Sequence, residues 1–143
     1  MQCIVVKQPW ASLVVAEQTH YLIRTWRSRH RGRLAILASS RLPRQNVEFC
    51  CQDPLRGALR EIGIDYVIQL PLGALVGAVT LCECKYVTED NRHTFDLADP
   101  MTRLGILQPG SWAWICSAPE KYAIPLPALG RLGVFEIPTR GIK

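Results

Sequence analysis

The run from Gly73 to Cys84, GALVGAVTLCEC, constrains this chain more than any other segment. It holds one charge, Glu83, and is too short for the roughly 18 apolar residues of a membrane-crossing helix. It reads as a long, mostly buried strand, with Gly73 and Gly77 permitting a bend or the close approach of another segment. A strand of that kind needs layers on both faces. At 143 residues with 48% hydrophobic and 20% charged residues, the chain has the material for one ordinary domain with its own core.

The flanking sequence supplies the layers. Residues 3–7 are predicted as a short strand and residues 9–17 as a helix. Pro9 opens that helix, because its missing N–H is unpaired there anyway. Trp10, Leu13 and Val14 share one helical face. Residues 20–26 and Leu34 to Ala38 read as further strands, with a turn at Arg31, Gly32 and Arg33. Residues 43–63 are helical in pattern but interrupted at Pro54. There Asp53 is expected to cap a second helix striped by Leu55, Leu59 and Ile62. Residues 88–110 are polar and turn-rich, with a short helix expected from Asp99 and Pro100 and a turn at Pro109 and Gly110. Trp112 to Cys116, Tyr122 to Ile124 and Leu132 to Ile137 are the last predicted strands. Short strands with helices inserted early predict an α+β fold around a small barrel.

No basic leader followed by an apolar region opens the chain, and no stretch is long and apolar enough to cross a bilayer. The expected location is the cytoplasm, with no membrane partner. Six cysteines without CxxC spacing are expected there as free, mostly buried thiols. The three histidines show no zinc-like pairing with them. There is no Gly-rich phosphate loop and no Gly-x-Ser-x-Gly elbow. No cofactor and no metal are expected.

Charge is unevenly placed. Residues 1–44 carry eight Lys/Arg against one acid, Glu17, whereas residues 45–143 carry nine against eleven. The first third therefore expects an anionic partner, or else presents a solvated basic face. Five arginines, Arg24, Arg27, Arg29, Arg31 and Arg33, fall within ten residues with no acid between them. His30 lies among them, and Trp10 and Trp26 are close in sequence. Guanidinium forks match phosphate geometry, and tryptophan or guanidinium planes stack on bases. Such a surface binds a nucleic-acid strand with little demand on its sequence. The bland alternative puts both tryptophans in the core and the arginines on a solvated turn. Trp26 is the better stacking candidate, since Trp10 has an apolar stripe to join.

Lys7-Gln8-Pro9-Trp10-Ala11-Ser12-Leu13, then Arg24-Thr25-Trp26 and His30-Arg31-Gly32-Arg33-Leu34, resemble the opening of the ASCH domain, a branch of the PUA-like superfamily. Downstream pieces agree in order: Gly73 to Val79 with Glu83-Cys84, Trp112-Ala113-Trp114, Ala118-Pro119, and Leu132 to Phe135. The resemblance covers nearly the whole chain, and it is strongest to coactivator-type ASCH domains and to small stand-alone microbial relatives. It implies a PUA-like β-barrel whose cleft, between barrel and helices, binds RNA, DNA or a nucleotide-like small molecule. Lys7, Gln8 and Ser12 would line that cleft, Arg24 would form its floor, and Ser39 and Ser40 would stand where the family has small polar lining residues. Arg27, Arg29, Arg31 and Arg33 would track the backbone outside.

Departures bear on chemistry. Aligned on Arg24, the family's Gly-x-Lys-x-x-Glu-x-Arg signature meets Glu17, Thr19 and Leu22 at its first three defined positions. Leu37 replaces a family histidine. The deacylating relatives use that Lys and a Thr at the Glu position. A deacylase needs an activated nucleophile or base beside the scissile carbonyl. Thr19 without a base is a weak nucleophile and Leu22 moves no proton, so binding is expected rather than catalysis. Thr19, His20 and Glu83 are the only catalytic candidates; strand alternation sets Thr19 and His20 on opposite faces. Glu83 either pairs with an arginine in the cleft or faces solvent. Two other functions stay open: a hydrolase of modified nucleosides or RNA, built on a trio such as Arg24, Glu83 and a Ser or His, and a module whose basic face binds an acidic protein.

Overall fold

The computed structural model describes residues 1–138. The apolar run forms β4 (Ala74–Tyr86), buried without interruption over Ala74 to Val79 and fraying to exposure at Glu83. It pairs antiparallel with β3 (Gly32–Ala38) on one side and β5 (Trp112–Pro127) on the other. β1 (Gln2–Val6) lies parallel to β3, the crossover between them carrying α1 (Trp10–Val15) and β2 (Tyr21–Arg24). β2 pairs with β5, and the two-residue β6 (Phe135–Glu136) with β1. The sheet order is β2-β5-β4-β3-β1-β6, an α+β architecture.

All six residues of α1 are buried against the sheet. The approach is close: a Cβ on Gly77 would stand 2.1 Å from the Glu120 carbonyl oxygen and 2.9 Å from Val15 Cβ. Only a glycine lets the helix and the β5 backbone press on β4 there. Residues 43–63 divide as expected into α2 (Arg44–Cys50) and α3 (Leu55–Glu61). Asp53 Oδ1 accepts the Gly57 N–H at 3.0 Å, relieving one unpaired donor at the start of α3. Asp99 caps α4 (Pro100–Arg103), accepting the Met101 N–H at 2.9 Å.

Three expectations change. The strands predicted at 112–116 and 122–124 are one strand. Register shifts against β4 absorb the irregularity, and Ala118 bends with φ 46° just before Pro119, so the prolines do not end the pairing. The strand predicted over 132–137 shrinks to Phe135–Glu136. The barrel does not close: among the described residues β2 and β6 are the two edges of an open sheet. The sheet nevertheless curls far. β2 and β1 stand three strands apart in the order, yet Arg24 Nη2 on β2 donates to the Val5 carbonyl on β1 at 2.6 Å. A side chain spans the gap that a backbone ladder would have to fill.

All six cysteines are free; Cys3, Cys50, Cys84 and Cys116 are buried, while Cys51 and Cys82 are exposed. Among the described residues no helix is long and apolar enough to cross a membrane.

Candidate nucleic-acid interface

Where β1 ends and α1 begins, facing β2 and α2, lies a cleft of about 390 Å³. Lys7, Trp10, Arg24, Asn46, Phe49 and Met101 are among its walls. Arg24 is half-buried, and loss of water lowers its pKa from the ordinary arginine value. Among the described residues its guanidinium makes one hydrogen bond, to Val5, and no carboxylate lies within 4.0 Å of it. A guanidinium with five N–H donors thus stands half-buried in the cleft wall with most of them unspent on the described residues. Lys7, exposed at the same cleft, adds a second cation. Leu22, standing at the family's acidic position, also lines it, so that wall is apolar.

β2 runs out of this cleft directly into the basic loop. Arg27, Ser28, Arg29 and Arg31 line an open concavity of about 500 Å³. Arg27 lies over the Trp112 ring, 6.0 Å from its centroid. Arg31 staples the loop, its Nη1 donating to the carbonyls of Ser28 at 2.7 Å and His30 at 2.8 Å. Arg29 is exposed, without a hydrogen bond or ion pair among the described residues. A His30 ring nitrogen sits 2.8 Å from the Arg33 carbonyl. Trp26 is 37% exposed and stands edge-on to Trp114, ring centroids 4.8 Å apart at 88°. The indole of Trp114 donates to the Trp26 carbonyl at 3.0 Å, which fixes the stem of the loop. Trp10 is buried beside the cleft, as its helical stripe implied.

Other predicted residues go elsewhere. Arg33 turns to β4 and β5, bonding the Ala118 carbonyl at 2.6 Å and pairing with Glu120 at 3.3 Å. Gln8 is 0% exposed; it donates to Ser12 Oγ at 2.8 Å and the Pro71 carbonyl at 2.9 Å, and accepts the Ser12 N–H at 3.0 Å. Gln8 and Ser12 therefore serve the start of α1, not an incoming ligand. Ser39 and Ser40 line a different pocket.

Thr19 does have a neighbouring base, against expectation: its hydroxyl donates to Asp99 Oδ1 at 2.7 Å. Thr19 is only 1% exposed, however, so no substrate reaches it. Asp99 also accepts the His20 N–H at 2.8 Å. The His20 ring, Asp96 and Asp99 bring one ligand atom each within 4.8 Å of one another, but three donors already occupy Asp99. Glu83 is exposed and unpaired with Arg24, so the trio expected of a hydrolase does not assemble. His93 is exposed, as predicted, but on a short 3₁₀ turn (Arg92–Thr94) rather than in a loop.

Sequence reading missed the cleft's second wall. Gln45, Asn46 and Phe49 come from α2, Met101 and Ile106 from the turn-rich stretch 88–110. Nothing local marks these residues, because only the packing of distant segments brings them to Arg24.

Fold and site together define a small α+β domain with an open sheet, a cleft that Arg24 and Lys7 help to line, and, after β2, a separate arginine-lined concavity. The chain is similar to activating signal cointegrator 1 of Mus musculus and of Homo sapiens, 26% identical to each over 138 residues, 96% of its own length. It spans about a fifth of those relatives, 22% of each. No family model matches the sequence.

Proposed function

We propose that this is an ASCH-like domain that binds a single strand of RNA or DNA with low sequence specificity. One phosphate or base edge docks on Arg24 in the cleft, and the backbone continues over Arg27 and Arg29. The observation that carries this reading is the Arg24 guanidinium, half-buried in the cleft wall and, among the described residues, without a carboxylate. Burying a cation without a counter-ion is costly, and an anionic ligand offsets that cost. The similarity to activating signal cointegrator 1 supports the ASCH assignment.

The test is fluorescence anisotropy of labelled single-stranded RNA and DNA at several salt concentrations, with wild type, Arg24→Ala and Arg29→Ala. Micromolar binding is expected, with a log–log salt slope of about −3 if four or five cations meet phosphates. Arg24→Ala should abolish it and Arg29→Ala weaken it. Binding indifferent to both arginines overturns the reading.

A second reading rests on the cleft's volume, about 390 Å³, which suits a nucleoside-sized ligand. In that case a mononucleotide competes fully with the strand, and Arg29→Ala has no effect. If an acidic protein is the partner instead, no oligonucleotide binds.

A further inference from the structure

Val5 and Val6 are consecutive on β1, so their side chains leave opposite faces of the sheet. Val6 lines the Arg24 cleft. Val5 lines a second pocket, of about 420 Å³, on the other side. Leu37 and Ala128 join Val5 in its apolar lining, and Leu129 and Leu132 form a wall. Those two leucines are 93% and 99% exposed.

They do not belong to a frayed end. The Ala128 N–H donates to the Gly73 carbonyl at 3.1 Å. Gly130 sits so tightly on β1 that a Cβ there would lie 2.5 Å from Val5 Cγ2. The loop is thus anchored on both sides of Leu129, Leu132 follows between Gly130 and β6, and both large aliphatic side chains stand in water. Two exposed leucines that line one apolar pocket form a surface suited to an apolar partner. Arg41 and Arg131 line the same pocket, and neither has an ion-pair partner among the described residues. No acid lines it.

We infer that this face docks a short protein segment in which large aliphatic or aromatic side chains alternate with carboxylates. An apolar side chain enters the pocket over Val5 and Leu37, while carboxylates reach Arg41 and Arg131. The leucines' outward surfaces extend the contact beyond the pocket, which suits a chain passing over it better than a small molecule filling it. Nucleic acid suits it poorly, because no aromatic ring lines the pocket to stack a base. The site is independent of the proposed strand-binding cleft and lies across the sheet from it.

The test is anisotropy with a panel of short fluorescein-labelled peptides combining leucine, isoleucine or phenylalanine with aspartate or glutamate. The same peptides with lysine in place of the acids are the control. Wild type, Leu129→Asp and Arg131→Glu are compared, circular dichroism confirming that each variant is folded. Acidic peptides are expected to bind micromolar, lysine forms not at all. Leu129→Asp and Arg131→Glu should each weaken binding by about tenfold or more, equivalent to about 1.4 kcal/mol. A single-stranded oligonucleotide should not displace the peptide. Failure of every acidic peptide, equal binding of the lysine forms, or indifference to both substitutions overturns the inference. So does binding to phosphatidylserine vesicles without binding to peptides, which would make the leucines a lipid contact.

Discussion

Arg24 and Val5 meet across the open side of the sheet, guanidinium to carbonyl, at 2.6 Å. One side chain therefore joins the edge strand β2 to β1, one strand in from the other edge, and lines the cleft. The bond is favourable, but the charge is desolvated. Arg24→Met removes both, so the net change in stability is expected to stay within about 1 kcal/mol. Urea unfolding checks this, and binding lost without a shift in midpoint would assign Arg24 to the ligand.

Asp99 ties α4 to β2 through three hydrogen bonds, from Thr19, His20 and Met101. Asp99→Ala strands those buried donors and should cost about 3 kcal/mol. Thr19→Val removes one donor and should cost about 1 kcal/mol. The double variant should be less destabilised than the sum, since the two share a bond. Additive losses would show that the Thr19–Asp99 contact contributes nothing.

Gly77→Ala places a methyl group into the Glu120 carbonyl, a backbone atom that cannot rotate away. The expected loss is about 3 kcal/mol, or failure to fold. A thermal melt within a degree or two of wild type would show that α1 and β5 do not press on β4 as described.

Burial pushes the Cys3 and Cys116 thiols from 9.0 up to about 12. Both stay protonated in the folded chain at pH values where an unfolded chain would ionise. Their contribution to stability is therefore fully present below pH 9 and is lost as pH rises from 9 toward 12. Denaturant midpoints should fall steadily over that window. A thiol reagent at mildly alkaline pH should modify two cysteines quickly, the exposed Cys51 and Cys82, and the other four only on unfolding. Rapid modification of all six would contradict the burial.

Much of this architecture is legible along the chain. The apolar run became β4 because a stretch uncharged from Gly73 to Cys82 with few alternations is best buried between layers. Pro54 split α2 from α3, and Asp99 with Pro100 started α4, because proline and capping chemistry act locally. The density of arginines between Arg24 and Arg33 marked the basic loop. Local rules did not reveal how each arginine is used: Arg33 is paired with Glu120, Arg31 is spent on its own loop, and Arg24, among the described residues, bonds a backbone carbonyl and no carboxylate. Nor did they show that Gln8 and Ser12 consume each other's hydrogen bonds, or that Thr19 lies against Asp99, eighty residues away. Composition and spacing set which segments are strands, helices and cations, since those preferences act over a few residues. Pairing, curvature and the partner of each buried polar group depend on segments far apart in sequence, so only the folded chain decided where the cleft opens and which charge stands in it.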